Sequence, residues 1–132
     1  MDFARQVIHK LLGEGGCYLI SLILWAELMT GLVLNDVEIY MKAVREGWME
    51  RDGYLLHPEK IFGLMVGGTW KVRHEAADYI AKPGEVEVER WGWKKTMAEL
   101  AHFKPPFADP YGESETVKNG ALVSKRILWR VA

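Results

Sequence analysis

The feature that most constrains the fold is a long apolar run from Cys17 to Leu34, in which Glu27 is the only charged residue. A helix that is apolar on every side is stable only where every side is covered, in the centre of a domain. Two glycines lead into this run, and Gly31 interrupts it. We therefore predict a buried helix that begins at Cys17 and ends at about Thr30.

The same run is nearly as long as a membrane span, which is the alternative to a core helix. Glu27 lies inside it, however, and a single span would leave the amphipathic pattern of the other segments unexplained. The chain opens on Met1-Asp2, with no basic segment before the run, so we expect no signal peptide. The pattern favours a core helix in a protein without membrane contact, either cytoplasmic or released by another route.

Composition limits the classes of function. A chain of 132 residues fits one domain, residues 1–132, with a core of its own. The formal net charge of −1 argues against a nucleic-acid-binding surface. Cys17 is the only cysteine, so no internal disulfide forms, and the four scattered histidines lack the spacing of zinc ligands. We expect no metal and no cofactor, and the sequence does not indicate an oligomeric state.

Helical signals occupy the first half of the chain. Apolar residues at helical spacing predict a helix over residues 3–12, before the helix that begins at Cys17. Asn35 followed by Glu38 is a capping-box pattern and predicts the start of a third helix. Pro58 at a first helical position predicts a fourth.

Apolar residues alternate in the second half, which predicts strands. The predicted strands cover residues 69–74, 85–93, 115–117 and 122–131. An Asn-Gly pair at Lys118-Asn119-Gly120 predicts a hairpin turn between the last two. Residues 97–103 are ambiguous, because their few apolar positions fit a short helix that runs into a strand. Helices followed by an antiparallel sheet indicate the α+β class.

Two short motifs suggest chemistry. At the head of a buried helix, the N–H groups of the first turn favour an anion, so Cys17 is a candidate thiolate nucleophile. A nucleophile needs a base. If Pro105-Pro106 forms the tip of a tight hairpin, His102 lies opposite Asp109, with Cβ atoms about 5 Å apart. The carboxylate would then orient the imidazole. A cis peptide bond or a wider loop at the two prolines is the alternative.

Together these motifs resemble the papain-like cysteine peptidases. The resemblance rests on Gly16-Cys17 at a helix head, His102-Phe103 on a strand and Asp109-Pro110-Tyr111-Gly112 downstream. The nearest branch is the bacteriocin-processing, C39-like one, with small uncharacterised bacterial and phage members. The resemblance covers most of the chain. It implies a papain-like α+β fold, in which N-terminal helices, including the buried helix headed by Cys17, pack on a C-terminal antiparallel sheet.

The resemblance also implies roles for individual residues. Cys17 would be the nucleophile, His102 the general base and acid, and Asp109 the residue that orients His102. The glutamine of the family's oxyanion hole would correspond to Gln6, the only upstream glutamine, and the backbone N–H of Cys17 would be another donor. His74 is the reserve base if the hairpin register is wrong.

Two tryptophans suggest a binding surface. Trp91 and Trp93 lie on the same side of a predicted strand, where their rings can stack on a sugar or a peptide. Alternatively, they simply cover the sheet.

The predicted function is hydrolysis of amide or peptide bonds, by a peptidase or an amidase, with a peptide or peptidoglycan-like substrate. Three departures from the family pattern favour an alternative. Tyr18 replaces a frequent glycine, the connection between His102 and Asp109 is short, and Gln6 is far from Cys17. The alternative is a catalytically degenerate papain-like module with a binding or structural role, associated for example with a phage.

Overall fold

The structure is a computed structural model, and it describes residues 3–95, 97–112 and 114–132. Met1 and Asp2, on which the signal-peptide argument rests, lie outside the described residues. The described helices are α1 (Phe3–Leu12), α2 (Cys17–Thr30), α3 (Asp36–Arg45), α4 (Pro58–Val66) and α5 (Glu115–Asn119), with a 3₁₀ turn at Gly13–Gly16. The described strands are β1 (Trp70–Ala76), β2 (Val86–Lys95), β3 (Ala98–Lys104) and β4 (Ala121–Arg130).

Helix α2 is buried or half-buried from Cys17 to Ala26, as its sequence predicts, whereas Leu28 and Met29 in its last turn are exposed. One side packs into a cluster with the other helices, through Leu19, Ile20 and Ile23. The opposite side, through Leu22 and Ala26, packs on the sheet. The prediction of a buried core helix over residues 17–30 is therefore confirmed. None of the helices formed by the described residues is long and apolar enough to cross a membrane.

The ends of the helices follow the predicted signals. Gly31 ends α2 with a φ of 72°, and its N–H donates to the carbonyl of Glu27. The side chain of Asn35 accepts the N–H of Glu38 at 3.1 Å, so the predicted cap of α3 is confirmed. The predicted bounds of α1, residues 3–12, are confirmed, and Ile8 is the buried residue of this helix.

The sheet is antiparallel, with the strand order β1-β4-β2-β3. Helices α2 and α4 lie against it, α2 on β2 and β3 and α4 on β1. Residues 97–103, which fit either a helix or a strand, belong mostly to strand β3. The α+β class predicted from the order of the elements is confirmed.

The predicted hairpin at Lys118-Asn119-Gly120 is wrong. Residues 115–119 form helix α5, which Ser114 caps, and β4 pairs with β1 and β2. Gly120 has a φ of −101°, whereas a tight Asn-Gly hairpin turn needs a positive φ. The glycine is required for another reason: a Cβ at Gly120 would lie 2.2 Å from the carbonyl oxygen of Gly92 on β2.

A pH-sensitive group of hydrogen bonds connects β1 to the loop before β2. Glu85 accepts bonds from the Tyr79 hydroxyl at 2.6 Å, the Lys82 N–H at 2.8 Å and Arg73 at 2.7 Å. These bonds, that of Tyr79 above all, lower the pKa of Glu85 from 4.5 to about 2. Because the pKa is lower in the folded chain, the bonds stabilise the fold above pH 4.5, and their contribution is lost as the pH falls toward 2.

We therefore expect Glu85→Gln to lower the urea midpoint of unfolding near neutral pH, and the difference from wild type to shrink between about pH 5 and pH 2. Circular dichroism during urea titrations at several pH values measures this. Glu50→Gln, at an exposed position, is the control and should change little at any pH. A Glu85→Gln difference that stays constant down to pH 2 would contradict the assignment.

Candidate active site

Cys17 is the first residue of α2 and is 1% exposed. The 3₁₀ turn Gly13–Gly16 runs directly into the helix, and Gly16 supplies no side-chain cap. The backbone carbonyl of Cys17 accepts the Ser21 hydroxyl at 2.7 Å, one helical turn on. The cysteine therefore lies at the start of the buried helix, as predicted from the sequence.

The sulfur of Cys17 lies against strand β3, next to His102. Strand β3 is an edge strand, and the outward N–H groups of an edge strand have no strand partner. One of these, the N–H of Phe103, donates to Cys17 Sγ at 3.1 Å. A hydrogen bond donated to the sulfur favours the anionic thiolate over the thiol. The donor belongs to the peptide bond that joins His102 to Phe103, so the sulfur contacts the backbone of β3 at the residue after the predicted base.

His102 and Asp109 form the predicted pair. His102 is fully buried, and its Nε2 lies 2.8 Å from Asp109 Oδ1. The same oxygen accepts the N–H of Tyr111 at 3.0 Å, and Oδ2 accepts the N–H of Ser114 at 3.1 Å. Three donors thus fix the carboxylate. With Asp109 as acceptor, His102 carries its proton on Nε2, and Nδ1 is the basic nitrogen.

The strand register that predicted this pair is wrong. Strand β3 ends at Lys104, and Asp109 lies in the loop that follows rather than on a facing strand. The residue opposite His102 in the sheet is Trp91. Asp109 reaches His102 because its side chain caps the N–H two residues on, at Tyr111, which curls the loop back over the end of β3. The wider loop, rather than the tight hairpin, is what forms.

Tyr111 connects this loop to the turn before Cys17. Its hydroxyl donates to the carbonyl of Gly13, and its ring centroid lies 5.6 Å from that of His102. The ring also contacts His9 on α1, at 3.8 Å between centroids. One loop therefore positions both His102 and the entry into α2.

Gly16 leaves the space that the Tyr111 hydroxyl needs. A Cβ at Gly16 would lie 2.8 Å from that hydroxyl and 3.2 Å from Ile8 Cγ2. We expect Gly16→Ala to lower the free energy of unfolding by about 1–3 kcal/mol, the usual cost of overpacking. Urea titration measures it. In a Tyr111→Phe background, where the hydroxyl is absent, the same substitution should cost less; equal costs in both backgrounds would rule out this contact.

The other predicted residues lie on α1 and β2. Gln6 is exposed on α1, and its role in an oxyanion hole stays a prediction. Trp91 lies opposite His102, and its Nε1 donates to Glu89 at 3.0 Å. Trp93 lies opposite Leu100 on the same strand. Both rings are half-buried, and their binding of substrate likewise stays a prediction.

A cavity of about 470 Å³ opens beside this site. Tyr18 and Phe103, which follow Cys17 and His102 in the chain, both line it. Their rings stack with centroids 4.5 Å apart and an angle of 17° between planes. The cavity is therefore lined by the chain neighbour of each predicted catalytic residue, while Cys17 and His102 themselves are not among its lining residues.

Arg126 also lines the cavity, and the sequence does not predict it as a functional residue. The one available signal is a charged residue two positions before buried Leu128, and thus on the same face of β4. His74, the reserve base, lines the same cavity. Among the residues that the structure describes, no group of three or more His, Cys, Asp or Glu side chains could hold a metal ion.

Comparison with known proteins gives one match. A family model described as "Protein of unknown function, DUF261" matches residues 4–130, nearly the whole chain. No curated protein and no solved structure matches the chain.

Proposed function

The chain belongs to the DUF261 family of proteins of unknown function, and from its site we propose that it is a cysteine hydrolase acting on amide or peptide bonds. One observation carries the proposal. The sulfur of Cys17 accepts the N–H of Phe103, while the adjacent His102 is held by the carboxylate of Asp109. A nucleophile, a base and a residue that orients the base are the three parts that covalent acyl transfer needs.

In the proposed reaction, Nδ1 of His102 takes the proton of the Cys17 thiol. The thiolate attacks the carbonyl carbon of the amide and forms a tetrahedral intermediate. As the C–N bond breaks, the leaving amine takes the proton from His102, and a thioester remains on Cys17. His102 then takes a proton from water, whose oxygen attacks the thioester. The acid is released, and the thiol recovers the proton. Asp109 keeps the ring oriented throughout.

The papain-like resemblance is part of this proposal. A helix headed by the cysteine and packed on an antiparallel sheet, with Cys17, His102 and Asp109 in that order, agrees with what the resemblance implies. By the same resemblance we propose a peptide or a peptidoglycan-like substrate, with neither a nucleic acid nor a membrane as partner. The cytoplasmic location expected from the sequence is also proposed.

Acylation by p-nitrophenyl acetate tests the function without knowledge of the natural substrate. We expect a rapid release of about one p-nitrophenolate per chain and an acetyl thioester on Cys17, detected as a mass increase that hydroxylamine removes. Cys17→Ala should release none. His102→Gln should release it slowly, whereas His57→Gln, an exposed histidine at the start of α4, should behave as wild type. Absence of an acetyl adduct on folded wild-type protein would contradict the proposal.

The second candidate function is a non-enzymatic binding or structural module, and one observation favours it. Cys17 is 1% exposed and His102 is fully buried, so both could be structural residues of the core. The pair of His102 and Asp109 would then only fix the loop after β3. This alternative predicts that His102→Gln lowers stability but leaves the reaction of Cys17 with small electrophiles unchanged. The proposed hydrolase predicts that both properties change.

A further inference from the structure

We infer that the cavity beside Cys17 binds a carboxylate on the acyl part of the substrate and that Arg126 is the residue that holds it. The inference rests on the proposed function for its substrate class. The cavity, at about 470 Å³, is in the usual size range of ligand sites. The cavity is lined by aromatic and aliphatic side chains and by a few polar groups. One of these polar groups, Arg126, is a cation.

Arg126 has hydrogen-bonding capacity that the described residues do not use. It lies on β4 between His74 of β1 and Val88 of β2, and its guanidinium stands over the ring of Phe103, 5.5 Å from the centroid. It donates one hydrogen bond, to the Ser124 hydroxyl at 3.0 Å. A guanidinium has five N–H donors in a planar fork that matches a carboxylate. None of the described carboxylates forms an ion pair with it.

The environment of Arg126 disfavours its charge. Burial lowers the pKa of Arg126, and the charge of Arg90 lowers it further. Burial and these two arginines also lower the pKa of His74. Asp52 is the carboxylate among the residues that line the cavity, and it forms no ion pair with Arg126, so an anion in the cavity would offset the charge of Arg126. A carboxylate is the anion that the fork of donors fits best.

Tyr18 supplies a second donor to the same cavity. Its hydroxyl is buried and has no hydrogen-bond partner among the described residues. Burial raises the pKa of Tyr18 far above its usual range, so the hydroxyl stays protonated and can donate. Arg126 and Glu59 both act on this hydroxyl electrostatically. Glu59 bonds to His57 at 3.1 Å and does not line the cavity.

The remaining walls define the rest of the ligand. Leu55, Pro58 and Val72 line the cavity with apolar surface, which suits a chain of several methylenes. Asp52 also lines it and accepts the N–H of Tyr54, so a ligand carboxylate would be repelled from Asp52 toward Arg126. The inferred substrate class is therefore an acyl donor with a second, distal carboxylate, such as a glutamyl or similar dicarboxylic amide.

Two esters that differ in one charge test the inference. We compare acylation of Cys17 by mono-p-nitrophenyl adipate and by p-nitrophenyl hexanoate, with Cys17→Ala as the background. Wild type is expected to react with the adipate ester about tenfold faster or more, in line with a hydrogen-bonded charge pair. In Arg126→Gln this preference should disappear, so that the ratio of the two rates falls to about one. Arg130→Gln, an exposed arginine on the same strand and outside the cavity lining, is the matched control and should keep the preference.

A binding measurement separates this inference from the proposed function. Adipate is titrated into Cys17→Ala protein, and the amide resonances of Phe103 and Arg126 are followed by NMR. Shifts that saturate, and that are absent in folded Arg126→Gln protein, support the carboxylate site. They support it even if neither ester acylates Cys17, because a lack of acylation would contradict only the proposed hydrolase. Equal rates for both esters in wild type, together with no saturable shift, would overturn the carboxylate site and leave the hydrolase standing.

Discussion

Replacing Asp36 by alanine is expected to lower the free energy of unfolding by about 3–5 kcal/mol, the cost of breaking a buried ion pair. Asp36 is fully buried at the start of α3. Arg5 of α1 reaches it with Nε at 2.8 Å from Oδ2, and also bonds to Glu27 of α2 at 3.0 Å. The substitution leaves the Arg5 cation without its closest anion and removes a connection among three helices. Urea unfolding followed by circular dichroism measures the effect.

Two further variants distinguish this mechanism from simple loss of a surface charge. Glu46→Ala breaks the exposed pair of Lys42 and Glu46, 2.9 Å apart, and should leave the urea midpoint nearly unchanged. Replacing both partners, in Arg5→Met with Asp36→Leu, should destabilise less than Asp36→Ala alone, because the fully buried charge is removed together with its partner. Glu27 also loses Arg5 in this variant, but its side chain is 20% exposed and still accepts the N–H of Leu34 at 3.0 Å. If the double variant were less stable than Asp36→Ala, the buried charge would not be the cause.

A large effect on the chemistry, with the nucleophile itself unchanged, is expected from Asp109→Asn. The two carboxylate oxygens accept three N–H groups, those of His102, Tyr111 and Ser114. An amide has one oxygen, so its NH₂ must face at least one of these donors. Either His102 turns to the other tautomer, or Ser114 loses its acceptor and the loop loosens. We expect acylation of Cys17 by p-nitrophenyl acetate to slow by about 10²–10⁴, the range for a general acid–base group.

The matched control for this variant is Asp52→Asn. Asp52 also caps an N–H two residues on, that of Tyr54 at 3.1 Å, but it bonds to no histidine. The acylation rate should stay close to wild type in Asp52→Asn. Equal rates in both asparagine variants would show that Asp109 only shapes the loop.

The helices could be predicted from the sequence because their signals are local. The apolar run of α2, the cap at Asn35 and the proline at Pro58 each act within one or two turns. The hairpin at Lys118-Asn119-Gly120 could not be judged in this way. Gly120 is required by its close approach to Gly92, a contact between distant segments that sequence spacing does not reveal.

The candidate site was predictable in part. The pairing of His102 with Asp109 follows from their short separation along the chain, which holds for a hairpin and for a loop alike. The contact between Cys17 and β3 depends on how α2 packs on the sheet, so only the order of motifs could suggest it. The cavity is even harder to predict from the sequence, because Tyr18 and Arg126, which both line it, lie more than a hundred residues apart along the chain.

Alkylation of Cys17 by iodoacetamide near pH 7 tests most directly whether His102 activates the thiol. Cys17 is the only cysteine, so the rate reports one sulfur. An ordinary thiol is only a few per cent thiolate at this pH. We predict that wild type reacts at least about tenfold faster than His102→Gln, while His74→Gln reacts as wild type does. Equal rates for wild type and folded His102→Gln would contradict a catalytic pair of Cys17 and His102.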